Sequence, residues 1–262
     1  MTEHSKSKRP YFSILTASFN RRSTIQATVK SIAGQSFQNF EHIVIDGGST
    51  DNTVEILKEY EQRYPLHWIS EPDKGIAHAL NKGLRISNGQ YIMVLHADDS
   101  FIDFETLASV YAIIDRSQKD IYSFAVLLDH PTRGLTMRKP IRHLWYNRFK
   151  FIFLHQGSFI NRTVFDEIGG FNTSFKIAMD YDFFYRALLN KYSVEFLTEP
   201  VALMGGSGIG TITDTAYCRL KEEQLVQLIN EKNKLLKAVQ RIFWRLYIPY
   251  KKWHLKESKL VG

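Results

Sequence analysis

The chain contains the stretch Gln90-Tyr-Ile-Met-Val-Leu-His-Ala-Asp-Asp99, in which a short apolar run ends at two adjacent carboxylates. Tyr91–Leu95 leave no face for water, so they predict a strand that is buried on both sides. Carboxylates at the carboxyl end of a central strand lie where open α/β sheets keep their ligand crevice. Their oxygens suit Mg²⁺ or Mn²⁺. A turn and helix cap at Asp98-Asp99-Ser100 is the simpler alternative.

Strand and helix signals alternate over the first hundred residues around this stretch. The predicted strands are Tyr11–Thr16, Phe40–Ile45, Leu66–Ser70 and Tyr91–Leu95, and the predicted helices are Arg22–Ala33, Thr53–Tyr64 and Gly75–Ile86. Strands separated by helices of this length imply βαβ units with right-handed crossovers. The predicted fold class is therefore α/β, with a mostly parallel sheet flanked by helices.

The second half of the chain is less regular. Ile121–Leu128 is rich in strand-forming residues and is predicted to pair at the edge of the sheet. Thr132–Phe153 is basic and aromatic without a clean period, which is typical of a functional flap. Asn161–Ile168 and Asp180–Leu189 are predicted helices, and Met204–Gly210 is a predicted glycine-rich loop.

Positive charge is concentrated at the C-terminal end. From Lys232 to Gly262 there are nine Lys or Arg residues and one Glu, a net charge of +8, against +7 for the whole chain. The pattern from Asp214 onward is helical and is predicted to end at Pro249. The predicted division of the chain is a flexible N-terminus at 1–9, one α/β domain at 10–210, and a helical, amphipathic, basic extension at 211–262.

Composition limits the class of protein. The chain has 262 residues, of which 44% are hydrophobic and 23% charged, as in ordinary globular proteins. The lone Cys218 excludes an internal disulfide framework and fits a reducing compartment. Met1–Pro10 is polar and basic without an apolar segment, so no signal peptide is expected. No run approaches the ~18 apolar residues of a membrane span, so a soluble or peripheral protein is expected.

Four acidic or glycine-bearing turns follow predicted strands or precede a predicted helix. They are Ile45–Thr53, Glu71–Gly75, His96–Asp99 and Ala178–Asp182. In a parallel sheet the first three emerge at the same edge, so they are expected to converge although they lie far apart in sequence. Each alone is a weak signal, because Asp and Gly occupy turns for local reasons.

Several segments together carry a family resemblance. They are Thr16–Asn20, Ile45-Asp-Gly-Gly-Ser-Thr-Asp51, Asp73-Lys-Gly75, Asn81-Lys-Gly83, Ala97-Asp-Asp99, Gly170-Phe-Asn172 and Met179-Asp-Tyr-Asp-Phe-Phe-Tyr-Arg186. In order and spacing they resemble the family-two nucleotide-sugar glycosyltransferases of the bacterial surface-polysaccharide type. The resemblance runs from about Tyr11 to Gly208. It implies a GT-A fold and an inverting enzyme that moves a sugar from a nucleotide diphosphate to an acceptor hydroxyl.

The resemblance also implies roles for individual residues. These are nucleotide-sugar contacts for Thr16, Asn20, Asp46, Asp73, Lys74 and Asp98, ligation of Mn²⁺ or Mg²⁺ by Asp98 and Asp99, a catalytic base at Asp180, and an acceptor side at His155 and Gln156. Simpler alternatives stay open at three of these positions. Asp46 is also suited to bonding its own turn, Asp180 to capping a helix, and His155 to the core. Many relatives have Asp or Asn where this chain has His96.

Substrates and partners follow from the same resemblance. It implies a UDP- or GDP-linked donor and a glycan or lipid-linked acceptor. The basic, amphipathic tail predicts attachment to the cytoplasmic face of a membrane, with docking on the core or on a second copy as the alternatives. A nucleic-acid-binding protein is disfavoured because the positive charge avoids the βαβ part. A sugar nucleotidyltransferase is disfavoured because Leu15–Arg22 contains no glycine.

Overall fold

The computed structural model describes residues 9–130, 134–205 and 213–257. Its first half contains the strands β1 (Phe12–Ser18), β2 (Phe40–Asp46), β3 (Leu66–Ser70) and β4 (Tyr91–Val94), and the helices α1 (Ile25–Ala33), α2 (Thr53–Tyr60) and α3 (Ile76–Ile86). The four strands are parallel and lie side by side in the order β3-β2-β1-β4. The predicted alternation and the parallel sheet are confirmed.

The second half extends the same sheet. Its elements are β5 (Ser100–Phe101), α4 (Thr106–Ser117), β6 (Ile121–His130), β7 (Gly134–Arg138), two 3₁₀ helices (Leu144–Arg148 and His155–Gly157), β8 (Ser158–Asn161), α5 (Arg162–Ile168), α6 (Met179–Leu189), β9 (Val194–Met204), α7 (Thr213–Asn230) and α8 (Lys234–Glu257). The strand order continues from β4 as β8-β6-β9-β5, and β7 pairs with β6. β8 runs antiparallel to β4, which turns the parallel sheet into a mixed one.

β6 lies inside the sheet, so the prediction of an edge strand there is wrong. It pairs with β8 on one side and with β9 on the other. Ile121, Tyr122 and Val126 are accordingly buried. Both partner strands come from later parts of the chain, so the local pattern of β6 does not reveal that its two edges are covered.

The sheet is buried on both faces. Leu15 and Ile92 contribute to a core that includes Phe183 and Phe184 of α6. Phe12 belongs to the opposite core, beneath α4. Neighbouring residues of a strand point to opposite faces, so a strand covered on both sides reads as a continuous apolar run. This explains the apolar run with which Gln90–Asp99 begins.

The C-terminal helices pack on the α/β part. The carboxylate of Glu222 in α7 accepts the backbone N–H groups of Lys176, Ile177 and Ala178, at 2.8–3.0 Å, just before α6 begins. The predicted boundary between residues 210 and 211, and residues 206–210 of the predicted glycine-rich loop, lie outside the described residues. The division into domains therefore stays a prediction.

α8 continues to Glu257, so its predicted end at Pro249 is wrong. Proline has no N–H to donate to the carbonyl of Arg245, four residues earlier. Pro249 is exposed, and water is therefore able to hydrogen-bond that carbonyl. Buried Trp244 and Ile248 anchor the helix in the turn just before Pro249. Among the described residues, no helix has the length and continuous apolar surface that a membrane crossing requires.

Candidate functional site

The carboxyl ends of the parallel strands meet at one edge of the sheet. Ser18 of β1 is level with Asp46 of β2, which is level with Ser70 of β3, and Leu15 is level with Val94 of β4. The turns that follow these strands therefore leave the sheet side by side. The predicted convergence of the first three acidic turns is confirmed.

Asp46 is buried and forms hydrogen bonds within its own loop. Its Oδ2 accepts the N–H groups of Gly48 and Ser49 and the hydroxyl of Ser70, at 2.7–3.1 Å. Its Oδ1 accepts the Ser49 hydroxyl at 2.5 Å. Asp46 therefore makes the hydrogen bonds expected of a carboxylate that bonds its own turn. A hydrogen bond between Asp46 and a nucleobase stays a prediction.

Thr16 and Asn20 also make bonds inside the protein. The Thr16 hydroxyl donates to the carbonyl of Leu95 at 2.7 Å. Asn20 has a left-handed backbone, with φ of 52°. Its side-chain oxygen accepts the Thr50 N–H at 2.9 Å, which ties the loop after β1 to the loop after β2. Both residues thus fix the walls of the crevice.

Phe19, Gly47 and Asp73 surround one point beside these loops. A Cβ atom on Gly47 would lie 2.8 Å from Asp73 Oδ2 and 3.3 Å from the Phe19 ring, so both side chains approach this backbone more closely than a larger residue would allow. The Phe19 ring is 58% exposed. Asp73 Oδ1 accepts the Gly75 N–H at 2.7 Å, and Lys74 is exposed. The group therefore offers an exposed flat ring and a carboxylate close to each other.

Two residues at this point were missed by sequence reasoning. One is Phe19, and its signal was an aromatic residue inside the segment Thr16–Asn20. The other is Ser18, whose buried hydroxyl has no hydrogen-bond partner in the described part of the chain. A partnerless buried hydroxyl has no signal in a sequence.

The adjacent carboxylates Asp98 and Asp99 have different surroundings. Asp99 is 3% exposed, and its two oxygens accept the N–H groups of Gly205 and His96, at 3.1 and 3.3 Å. Burial, with the neighbouring charge of Asp98, raises the pKa of Asp99 to about 7. Asp98 is partly exposed. Asp99 therefore fixes the turn, and Asp98 is the more accessible carboxylate of the predicted metal pair.

The described residues do not enclose the predicted metal. In the described ranges, no group of three or more His, Cys, Asp or Glu side chains is placed to hold an ion. Mg²⁺ usually keeps several waters and is held by one or two carboxylates together with substrate phosphates. A partly exposed carboxylate at a strand end, such as Asp98, fits that kind of site.

Asp180 meets His155 on the other side of the crevice. His155 Nδ1 lies 3.0 Å from Asp180 Oδ2, and both side chains are largely buried. The other ring nitrogen of His155 is buried and has no partner among the described residues. The His155 ring contacts the His96 ring edge to face, at 5.2 Å between centroids. His96 belongs to the same turn as Asp98, so the fourth acidic segment joins the other three.

Electrostatics distinguishes the two histidines. Burial alone would lower the pKa of His155, but its hydrogen bond to Asp180 and the charges of Asp180, Asp99 and Asp98 outweigh burial and raise that pKa. Burial lowers the pKa of His96 to about 3. His155 is therefore the histidine that is stabilised in its protonated form.

Gln156 and Asp182 are both buried. Gln156 is buried, so its side chain is not exposed for the predicted contact with an acceptor. Asp182 is 1% exposed and accepts Arg186 Nε and Asn230 Nδ2, both at 2.8 Å. It points away from Asp180, toward α7.

Part of the basic flap is neutralised inside the protein. Arg148 pairs with Glu231, and Lys150 pairs with Glu223. Both acidic partners are buried residues of the C-terminal region. Charges used in this way are unavailable to nucleic-acid phosphates, which further disfavours a nucleic-acid-binding protein.

Sequence comparisons match most of the chain. The family described as glycosyl transferase family 2 matches residues 13–181. An uncharacterised glycosyltransferase of Mycobacterium tuberculosis is 34% identical over 188 residues, which are 69% of this chain and 70% of that protein. A PGL/p-HBAD biosynthesis glycosyltransferase of Mycobacterium bovis is 31% identical over 187 residues, 69% of this chain and 71% of that protein.

The fold is also similar to that of a solved structure. The mannosyltransferase PcManGT from Pyrobaculum calidifontis, in complex with GDP-Man and Mn²⁺, superposes with a TM-score of 0.67. The similarity covers 93% of this chain and 72% of that protein, at 18% sequence identity. At that identity the likeness shows the fold alone, and it confirms the predicted GT-A-like α/β architecture.

Proposed function

The chain belongs to glycosyl transferase family 2, and from this premise we propose that it transfers a sugar from a nucleotide diphosphate to an acceptor hydroxyl with inversion. The observation that carries the proposal is the arrangement of the crevice. Asp98 lies in the turn that follows β4, and the pair of Asp180 and His155 reaches that turn through the contact between the His155 and His96 rings. The crevice thus has a side suited to a diphosphate and a side suited to a proton acceptor.

Asp180 is proposed as the general base. As the acceptor oxygen attacks the anomeric carbon, its proton passes to the Asp180 carboxylate. The bond between that carbon and the phosphate oxygen breaks, and its electron pair stays with the diphosphate. A single displacement of this kind inverts the configuration at the anomeric carbon. His155 Nδ1, at 3.0 Å, donates a hydrogen bond that holds the carboxylate in place.

Asp98 is proposed to hold the diphosphate end of the donor. It would bind Mn²⁺ or Mg²⁺ together with the phosphates, where the charge of the ion offsets the charge on the leaving group. Asp99 supports this by fixing the turn through His96 and Gly205. The Mn²⁺ in the PcManGT complex supports the same assignment by analogy of fold.

The nucleobase is proposed to lie beside Phe19, Gly47 and Asp73. The exposed Phe19 ring offers a stacking surface, and the Asp73 carboxylate lies beside it at Gly47. The Ser18 hydroxyl lies buried at the same end of β1. Lys74 is proposed near the diphosphate because it is exposed on the adjacent turn. Thr16, Asn20 and Asp46 would shape this pocket from behind.

The substrate class is proposed from the relatives. The mycobacterial relative is named for PGL/p-HBAD biosynthesis, and PcManGT binds GDP-Man. For this chain we propose a UDP- or GDP-linked sugar as donor and a glycan or lipid-linked hydroxyl as acceptor, in the synthesis of cell-surface polysaccharide.

A panel of nucleotide sugars tests the proposal. Each is added with Mn²⁺, and both the thermal stability of the protein and hydrolysis of the sugar are measured. A donor that binds only the folded state raises the melting temperature by mass action. We expect one nucleotide class to stabilise the protein in the presence of Mn²⁺. If no nucleotide sugar stabilises it or is hydrolysed, the proposal is wrong.

A further inference from the structure

α8 presents three different faces along its length. One face is buried against α7 and the first 3₁₀ helix, and it includes Gln240, Trp244 and Ile248. Gln240 donates to the carbonyl of Arg148 at 2.7 Å, and Trp244 donates to Gln227 at 2.7 Å. These contacts fix the rotation of the helix about its axis. The residues on its outer side are therefore determined by the fold.

A second face is an exposed apolar stripe. Its members are Leu235, Val239, Ile242 and Leu246, and Tyr250 and Trp253 continue the same spacing. Intervals of three and four residues place side chains on one face of a helix. Leu235, Ile242 and Leu246 are 76%, 62% and 69% exposed. A continuous row of large, exposed apolar side chains is unusual on a monomer and marks an interaction surface.

A third face is basic. Lys234, Arg241, Arg245 and Lys252 are exposed and recur on the side of α8 between the apolar stripe and the buried face. No acidic residue occurs from Lys232 to Lys256. The outer surface of α8 thus combines an apolar stripe with a row of positive charge.

We infer that this outer surface of α8 lies on an anionic lipid bilayer, with the apolar stripe in the interface and the basic row against the headgroups. Helices with an apolar face and a Lys- and Arg-rich face bind in the plane of the interface. Polybasic segments are attracted by the negative surface potential of anionic lipids. The inference rests on α8 alone and not on the proposed sugar transfer.

A second copy of the chain is the main rival occupant. The spacing of the stripe would suit a helix pair, because apolar residues at intervals of three and four also form a coiled-coil seam. Two copies would, however, bring two basic rows together without an acidic residue to offset them. Like charges at such close range are destabilising. Charge complementarity therefore favours the bilayer.

Flotation of the full chain with lipid vesicles tests the inference. At low salt, the protein is expected to float with vesicles that contain phosphatidylglycerol and much less with pure phosphatidylcholine. Ile242→Ser combined with Leu246→Ser should reduce binding at least ~10-fold. Arg241→Gln combined with Arg245→Gln should reduce it roughly fivefold per charge, since each basic residue near an anionic surface contributes about that factor.

Matched variants keep the test specific. Ile86→Ser with Phe104→Ser removes two exposed apolar side chains elsewhere, and Lys58→Gln with Arg116→Gln removes two exposed charges elsewhere. Both should bind vesicles as the unaltered protein does. The inference is overturned if the unaltered protein stays unbound at low salt, or if the stripe variant binds normally. It is equally overturned if light scattering shows a dimer that the stripe variant abolishes.

Discussion

His155 Nδ1 and Asp180 Oδ2 lie 3.0 Å apart, although the two residues belong to different elements of the chain. His155 sits on a short 3₁₀ helix before β8, and Asp180 lies in the first turn of α6. Their contact connects the proposed base to the turn that carries Asp98, because the His155 ring also contacts His96.

Asp180→Asn is expected to lower kcat by roughly 10²–10⁴, the usual effect of losing a general base. The amide keeps the shape of the side chain and an oxygen that accepts the Tyr181 N–H. Donor binding, measured by thermal shift with Mn²⁺, should stay unchanged. Asp182→Asn is the contrasting variant, because Asp182 bonds to Arg186 and Asn230. Asp182→Asn should lower the free energy of unfolding with little effect on kcat. If Asp182→Asn is inactive and Asp180→Asn is active, Asp180 is not the base.

His155→Gln is expected to lower kcat by less than Asp180→Asn does, roughly 10-fold to 100-fold. The folded state raises the pKa of His155 above its ordinary value, mainly through Asp180. The stability that protonated His155 contributes is therefore fully present below the pKa of this residue in the unfolded state. It is lost as the pH rises through the pKa in the folded state. The deficit of the variant in unfolding free energy should be larger near about pH 6 than near about pH 9. A deficit that is constant with pH would contradict the assignment.

Asp98→Asn is expected to abolish Mn²⁺-dependent stabilisation by the nucleotide sugar. An amide is a weaker ligand than a carboxylate for a hard cation, and the variant also removes one negative charge. Titration of the donor with and without Mn²⁺ measures the effect. Asp115→Asn changes an exposed carboxylate on α4 and serves as the control. Unaltered dependence on Mn²⁺ in the Asp98 variant would refute its role as a metal ligand.

Asp46→Asn separates turn shaping from nucleobase binding. The asparagine side chain has one acceptor oxygen fewer than Asp46. Its NH₂ group would face either the N–H groups of Gly48 and Ser49 or the hydroxyls of Ser49 and Ser70. Leaving buried donors without an acceptor should lower the free energy of unfolding by about 1–3 kcal/mol. Denaturant unfolding of the protein without ligand measures this. Unchanged stability with weakened donor binding would instead assign Asp46 to the nucleobase.

The amino-acid sequence alone determined the parallel half of the fold. Apolar runs such as Tyr91–Leu95 and the helices between them are local patterns, and local periodicity is visible in a sequence. Because parallel strands end at one edge, the convergence of the turns after β2, β3 and β4 followed from the same patterns. The candidate residue Asp98 was found in this way, whereas Asp180 was found through the family resemblance, which also assigned the roles of both.

Only the tertiary structure decided which candidates share partners and which are buried. It placed β6 between β8 and β9, brought His155 to Asp180, and directed the oxygens of Asp46 and Asp99 to backbone N–H groups. These relations join segments that are distant in the chain. Burial and hydrogen bonding depend on what else arrives in space, and a local pattern of residues does not contain that information.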